Sequence, residues 1–210
     1  PGLSAAGRAP PPGRLLGWAA MSDHPISRFP VPTLDELPDD IADMIRAISE
    51  TPGFVPTVFL APARRPAEFR ASFAYHDALM DSSEGLSKAE RELIVVATSA
   101  RNNCLYCVAA HGAILRIRSK RPLLADQVAT NPHKADLSER ERHIVAFALR
   151  MVDDSASVTD ADLDDMRAKG FTDDEIWDIG AITAFFALSN RMANLTSMRP
   201  NDEFYTMGRG

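Results

Sequence analysis

The chain has 210 residues and a net charge of −6, enough for one well-buried domain and too few for two comfortable ones. Hydrophobic content of 45% and charged content of 25% are those of an ordinary globular protein. The acidic balance excludes a partner that must be held by a basic face, such as nucleic acid. The cysteines are two, Cys104 and Cys107. A secreted disulfide scaffold would spread more of them along the chain, so the pair points to redox or metal chemistry in a reducing compartment, the cytoplasm.

Residues 1–20 are rich in Pro, Gly, Ala and Arg, with Pro10-Pro11-Pro12 at their centre. They read as a disordered leader or tail ahead of a domain spanning 21–210, with Met21 a candidate start. The short run around Leu15 and Leu16 contains Gly17 and is too weak for a signal peptide. Residues 39–50 place Ile41, Met44, Ile45 and Ile48 at helical spacing before Thr51-Pro52-Gly53 breaks the chain. Residues 55–63 form a short helical turn between prolines, and 66–80 a second helix with Phe69, Phe73, Ala74 and Tyr75 as its apolar stripe.

Later helices open with capping boxes at Ser87/Glu90, Ser138/Glu141 and Thr172/Glu175, and with a weaker version at Thr159/Asp162. Leu86-Ser87-Lys88-Ala89-Glu90-Arg91 resembles Leu137-Ser138-Glu139-Arg140-Glu141-Arg142, which fits either an internal duplication or two independent boxes. Gly170 ends a helix over 160–169 from the C′ position. A last helix over 173–197 is apolar nearly all round, with Ile176, Ile179, Ile182, Phe186 and Leu188 among alanines. Such a helix is either the middle of the bundle or covered in part by another subunit. Its apolar run, 179–188, is about half of what a bilayer requires, so no membrane span is expected. Alternating apolar and polar runs are missing, and the fold class expected is an all-α, compact helical bundle.

The chemistry concentrates in one place. Asn103 is positioned to cap a helix that carries Cys104, Cys107 and His111 and stops before Pro122. Positions i, i+3 and i+7 fall within an arc of about 60°, and Cys107 and His111 are one turn apart. A thiolate is the reactive form of cysteine; a helix N-terminus stabilises it, and an imidazole accepts the thiol proton. A second cysteine resolves a sulfenic acid to a disulfide. Glu92, on the preceding helix, shares an inward face with Val95, Val96 and Ser99. A buried carboxylate needs a partner, and a histidine on the next helix serves, with the carboxylate fixing its tautomer.

Glu92, eleven residues, Cys104-Leu105-Tyr106-Cys107, three residues and His111 together resemble the signature of the alkyl hydroperoxidase D family, within the carboxymuconolactone decarboxylase-like superfamily. The wording Cys104-Leu105-Tyr106-Cys107-Val108-Ala109-Ala110-His111 is most similar to the branch called peroxidase-related proteins, and the resemblance runs from about Ile26 onward, through Gly170-Phe171-Thr172 and Asn190-Arg191-Met192. It implies an all-α fold, homo-oligomers and reduction of peroxide through the dithiol, with a dithiol or protein reductant as partner and no cofactor. It implies that Cys107 becomes the sulfenic acid, that Cys104 is proton donor and resolving thiol, and that Glu92 and His111 form the proton relay. Helix-dipole reasoning alone favours Cys104 as the more acidic thiol, so the two disagree. Tyr106 stands where some members carry a second histidine, which puts their full relay in doubt here.

Other readings stay open at this point. The two thiols, His111 and Glu92 make an acceptable zinc ligand set, and free cysteines are often simply buried. A decarboxylase-like enzyme needs no dithiol, and a non-catalytic helical oligomer with a vestigial site needs no chemistry. His76, Asn190 and Arg191 could line the pocket but are assigned no catalytic role.

Overall fold

In a computed structural model the described residues are 25–209; the leader expected at 1–20 lies outside them. Among the described residues every regular element is helical. The eight α-helices are α1 (Asp39–Glu50), α2 (Pro66–Met80), α3 (Lys88–Arg101), α4 (Leu105–Ser119), α5 (Leu124–Thr130), α6 (Glu139–Asp154), α7 (Asp160–Ala168) and α8 (Asp173–Thr196). Short 3-10 turns fill the connections, including Thr57–Phe59 within the expected turn at 55–63 and Asp202–Tyr205 near the C-terminus. No helix of the described residues is long and apolar enough to cross a membrane.

Local chemistry explains the boundaries. The capping boxes at Ser87, Ser138, Thr159 and Thr172 all form, each with its glutamate or aspartate three residues on reaching back to the cap's N–H. Arg140 joins two of them: its guanidinium donates to Glu90 and Glu175, the box carboxylates of α3 and α8, and lies 4.4 Å above the Phe171 ring. Gly170, at φ +89°, ends α7 with Phe171 N–H donating to Met166 C=O.

The centre of the bundle is α3, not α8. Every residue from Arg91 to Ser99 is buried, and α3 packs against α2, α4, α5, α6 and α8. The run Leu93-Ile94-Val95-Val96-Ala97 supplies the apolar surface, each large side chain contributing about 1.5–3 kcal/mol on full burial. The polar residues within the run all find partners. The Arg91 guanidinium donates to the carbonyls of Leu79, Glu84 and Leu86 and to Asp178. Thr98 donates to Ile94 C=O, and Ser99 accepts from Asn190.

Helix α8 covers one side of α3 with Ile176, Ile179, Ile182, Phe186 and Asn190. Its other face is open in this protomer: Trp177 is 74% exposed and Leu188 59%, with Met192 and Leu195 also exposed. Helix α8 is therefore not the middle of the bundle, and its outer face is exposed in the protomer.

Candidate active site

The site is built where α3 turns into α4. Asn103 does not cap α4, as its side chain suggested. It sits at φ +52°, the C′ residue of α3, with its N–H donating to Ala100 C=O and Cys104 N–H donating to Ser99 C=O. This is a Schellman ending with asparagine in the glycine position. Once Asn103 is left-handed the next residue must open α4, so Cys104 is the N-cap, in extended conformation. Its sulfur does what a serine or aspartate oxygen usually does, accepting from Cys107 N–H at 3.4 Å.

Both cysteines are free and buried, at 1% and 2% exposure. Their environments differ. The hydrogen bond from Cys107's thiol pulls Cys104 down to about 7, helped by the Cys107 N–H, the Asn190 amide and the charge of His111, against the opposing effect of burial. Cys107 is pushed up, because it donates its proton to Cys104, because it is buried and because a second negative sulfur would repel the first. When the pair ionises, its first negative charge therefore rests on Cys104. That agrees with the helix-dipole argument.

Glu92 and His111 meet as their positions suggested. His111 Nδ1 lies 2.7 Å from Glu92 Oε2, with Glu92 2% exposed. The carboxylate's other oxygen takes a 3.0 Å ion pair from Arg118, two turns further along α4. The Phe186 ring closes on His111 edge-on at 4.8 Å. The structure thus brings Glu92, Cys104, Cys107 and His111 to one seam between α3 and α4.

Two residues assigned no role from sequence belong to the site. Asn190 of α8 is fully buried; its amide donates to Ser99, its carbonyl accepts from Asn102, and it also helps to hold negative charge on both sulfurs. The signal was a single asparagine within the otherwise apolar run of α8. Arg118 had no such signal, since an arginine in the last turn of a helix is ordinarily a surface charge. Of the other residues considered, His76 lies with its ring centroid 6.5 Å from that of His111, while Arg191 is exposed and donates to Ala187 C=O.

Tyr106 faces away from the relay. Its hydroxyl accepts from Val58 N–H at 3.2 Å, its ring packs on Phe204, and burial pushes its hydroxyl well above the usual tyrosine range. It is a packing residue. A cavity of about 260 Å³ opens beside the first turn of α4, lined by Leu105, Tyr106, Ala193, Asn194, Ser197, Met198 and Arg199. Among the described residues, no cluster of three or more His, Cys, Asp or Glu side chains has a metal-holding arrangement. Glu92 is instead committed to His111 and Arg118.

Residues 66–130, which include α2, α3, α4 and α5, match the carboxymuconolactone decarboxylase family. No curated protein matches the chain. Among solved structures, an alkylhydroperoxidase AhpD core described as an uncharacterized peroxidase-related protein from Ralstonia eutropha JMP134 is 62% identical, with a TM-score of 0.87 over 89% of this chain and 98% of that one. An uncharacterized peroxidase-related protein from Silicibacter sp. TM1040 is 36% identical, with a TM-score of 0.84 over 92% of this chain and 100% of that one. The apo debrominase Bmp8, 19% identical with a TM-score of 0.64 over 80% of this chain and 90% of that one, shares the fold. The dithiol seam, the α-helical architecture and these likenesses together show that the chain belongs to the alkyl hydroperoxidase D-like, peroxidase-related branch of the carboxymuconolactone decarboxylase superfamily.

Proposed function

We propose that this protein is a thiol-dependent peroxidase that reduces alkyl hydroperoxides or hydrogen peroxide through Cys104 and Cys107. The observation that carries the reading is the pairing of a buried Glu92–His111 contact with a dithiol that holds one charge near neutral pH. A thiolate ready at neutral pH and an imidazole held in one tautomer by a carboxylate are the parts that peroxide reduction needs.

The steps follow from the hydrogen bonds. In the resting pair the proton sits on Cys107 and the charge on Cys104. Passing that proton to the Cys104 sulfur makes Cys107 the nucleophile, which keeps the roles the family resemblance implies. The Cys107 sulfur attacks the outer peroxide oxygen, the O–O bond breaks, and the electron pair leaves on the alkoxide. The alkoxide takes the proton that His111 received when the pair first ionised, giving an alcohol. Cys104 then attacks the sulfenic acid on Cys107, water leaves, and a disulfide forms. An external dithiol or a protein carrying one returns two electrons and two protons.

The same reading places the protein in a reducing compartment, the cytoplasm, where such a reductant is available. It also has copies of the chain covering the open face of α8 in a homo-oligomer. Mass spectrometry of the native protein before and after peroxide, with and without a dithiol reductant, tests the core of the proposal. The expected record is a loss of two hydrogens at the Cys104–Cys107 peptide, reversed by reductant. Two free thiols surviving stoichiometric peroxide would refute it.

A further inference from the structure

The relay has a solvent side. The side chain of His111 is 13% exposed, and the next imidazole outward is that of His76 on α2, 29% exposed. The two rings are 6.5 Å apart between centroids and tilted by 52°. At that separation one bridging water can link the two imidazoles. His76 is built in the same way as His111: its Nδ1 is 2.9 Å from a carboxylate oxygen, here of Asp77. Among the described residues this is its sole side-chain hydrogen bond, so no bond to another helix accounts for the imidazole and its Nε2 is left to exchange protons. Phe185 and Phe186 of α8 flank it at 6.0 and 6.3 Å, and Phe186 touches His111 as well, so the two imidazoles share one aromatic wall. The charged and titratable groups around His76 are Asp77 on its own helix, His111 on α4, and Glu92 and Arg118 behind His111.

We infer that His76, backed by Asp77, is the proton carrier on the solvent side of the relay, passing the proton that His111 takes from the dithiol to the oxygen that leaves the peroxide. This rests on the peroxidase reading above. His76 gains a proton from His111 and gives it to the departing alkoxide as the O–O bond breaks, so it ends each turnover as it began and the overall stoichiometry is unchanged. It supplies a second imidazole from α2, while Tyr106 on the dithiol helix is committed to packing.

The test uses two oxidants whose leaving groups differ. tert-Butyl hydroperoxide expels a strongly basic alkoxide that needs a proton, whereas peracetic acid expels acetate, which does not. Single-turnover loss of free thiol is followed by rapid quench and mass spectrometry in wild type and His76→Gln. The carrier role requires His76→Gln to slow tert-butyl hydroperoxide by about tenfold or more while leaving the peracetic acid rate unchanged. Equal slowing with both oxidants, or no slowing with either, overturns the inference. In a second arm, added imidazole should restore His76→Ala selectively with tert-butyl hydroperoxide, because solvent reaches the position; no restoration overturns the role. A wild-type protein that tert-butyl hydroperoxide does not oxidise refutes the peroxidase reading itself, and the inference with it, an outcome distinct from the others.

Discussion

The unequal titration of the two thiols is the most direct consequence of the geometry, and Cys107→Ala is the perturbation that exposes its cause. The hydrogen bond from Cys107 is the largest influence holding Cys104 near 7, ahead of the Cys107 N–H, Asn190 and His111. In wild type about half of Cys104 is therefore thiolate at pH 7, against about 3% for an ordinary cysteine with a pKa of about 8.5. That roughly fifteenfold gain does not become a fifteenfold faster reaction. The attacking sulfur is Cys107, which must first pass its proton to Cys104, so the charge on Cys104 does not by itself set the rate. The informative quantity is the pH midpoint and not the rate at one pH. Thiolate absorbance in the far ultraviolet reads it without requiring a reagent to reach a sulfur that is 1% exposed. Wild type should show one thiol titrating near 7 and the other far above. Cys107→Ala should move the remaining midpoint up towards the ordinary cysteine value, and Cys107→Ser, which keeps a hydroxyl donor, should move it less. A Cys107→Ala midpoint still near 7 would show that the charge is set by the helix terminus and His111, and the shared-proton account would have to be given up.

His111→Ala should slow peroxide-driven oxidation by about 10²–10⁴-fold near pH 7 and less at higher pH, where hydroxide removes the thiol proton; a stopped-flow pH profile checks it. Glu92→Gln should show a milder kinetic loss, and denaturant unfolding should show a stability loss of about 2 kcal/mol. This is below the 3–5 kcal/mol of a fully buried pair, because Arg118 at 26% exposure can reach water instead. Cys104→Ser should leave a sulfenic acid on Cys107 that a dimedone-type trap captures; no capture on Cys107 would contradict the assigned order of attack. The exposed stripe of Trp177, Leu188, Met192 and Leu195 predicts a homo-oligomer at micromolar concentration, and a stable monomer by light scattering would refute that.

The fold was legible where local chemistry decides it. Pro66 at the first turn and the four capping boxes set helix starts that tertiary packing then kept, the proline by presetting φ and removing an orphan N–H, the boxes by satisfying such N–H groups. The identity of the central helix was not legible. Residues 88–101 carry Lys88, Glu90, Arg91, Glu92 and Arg101, so that even with Glu92 read as inward the helix does not read as the most buried one, whereas α8 reads as apolar nearly all round. Burial of Arg91 and Glu92 depends on carbonyls at the end of α2 and on Asp178, His111 and Arg118, all distant in sequence or a helix away. Only the assembled bundle shows that their polar groups are paired, and that the apolar outer face of α8 is not.

The nearness of Glu92 and His111 was legible in the sequence, while Asn190 and Arg118 were missed and the start of α4 was misread. Glu92 and His111 were placed by helical periodicity, which three-dimensional packing preserved. The misreading at Asn103 came from a residue type that serves two ends equally well: asparagine caps helix starts through its side chain and ends helices through its tolerance of positive φ. With no residue to spare between α3 and α4, the second use won, and the cap passed to Cys104. That one-residue shift carries chemical weight. Had Asn103 capped α4, Cys104 would sit in the first turn and its sulfur would not take the Cys107 N–H. At the N-cap it takes that N–H and the Cys107 thiol proton together, in a burial that would otherwise disfavour any charge. The tight turn that ends α3 is thus what places a negative sulfur at the head of α4, and lengthening it by even one glycine after Asn103 should abolish the low thiol midpoint while leaving the Glu92–His111 pair in place.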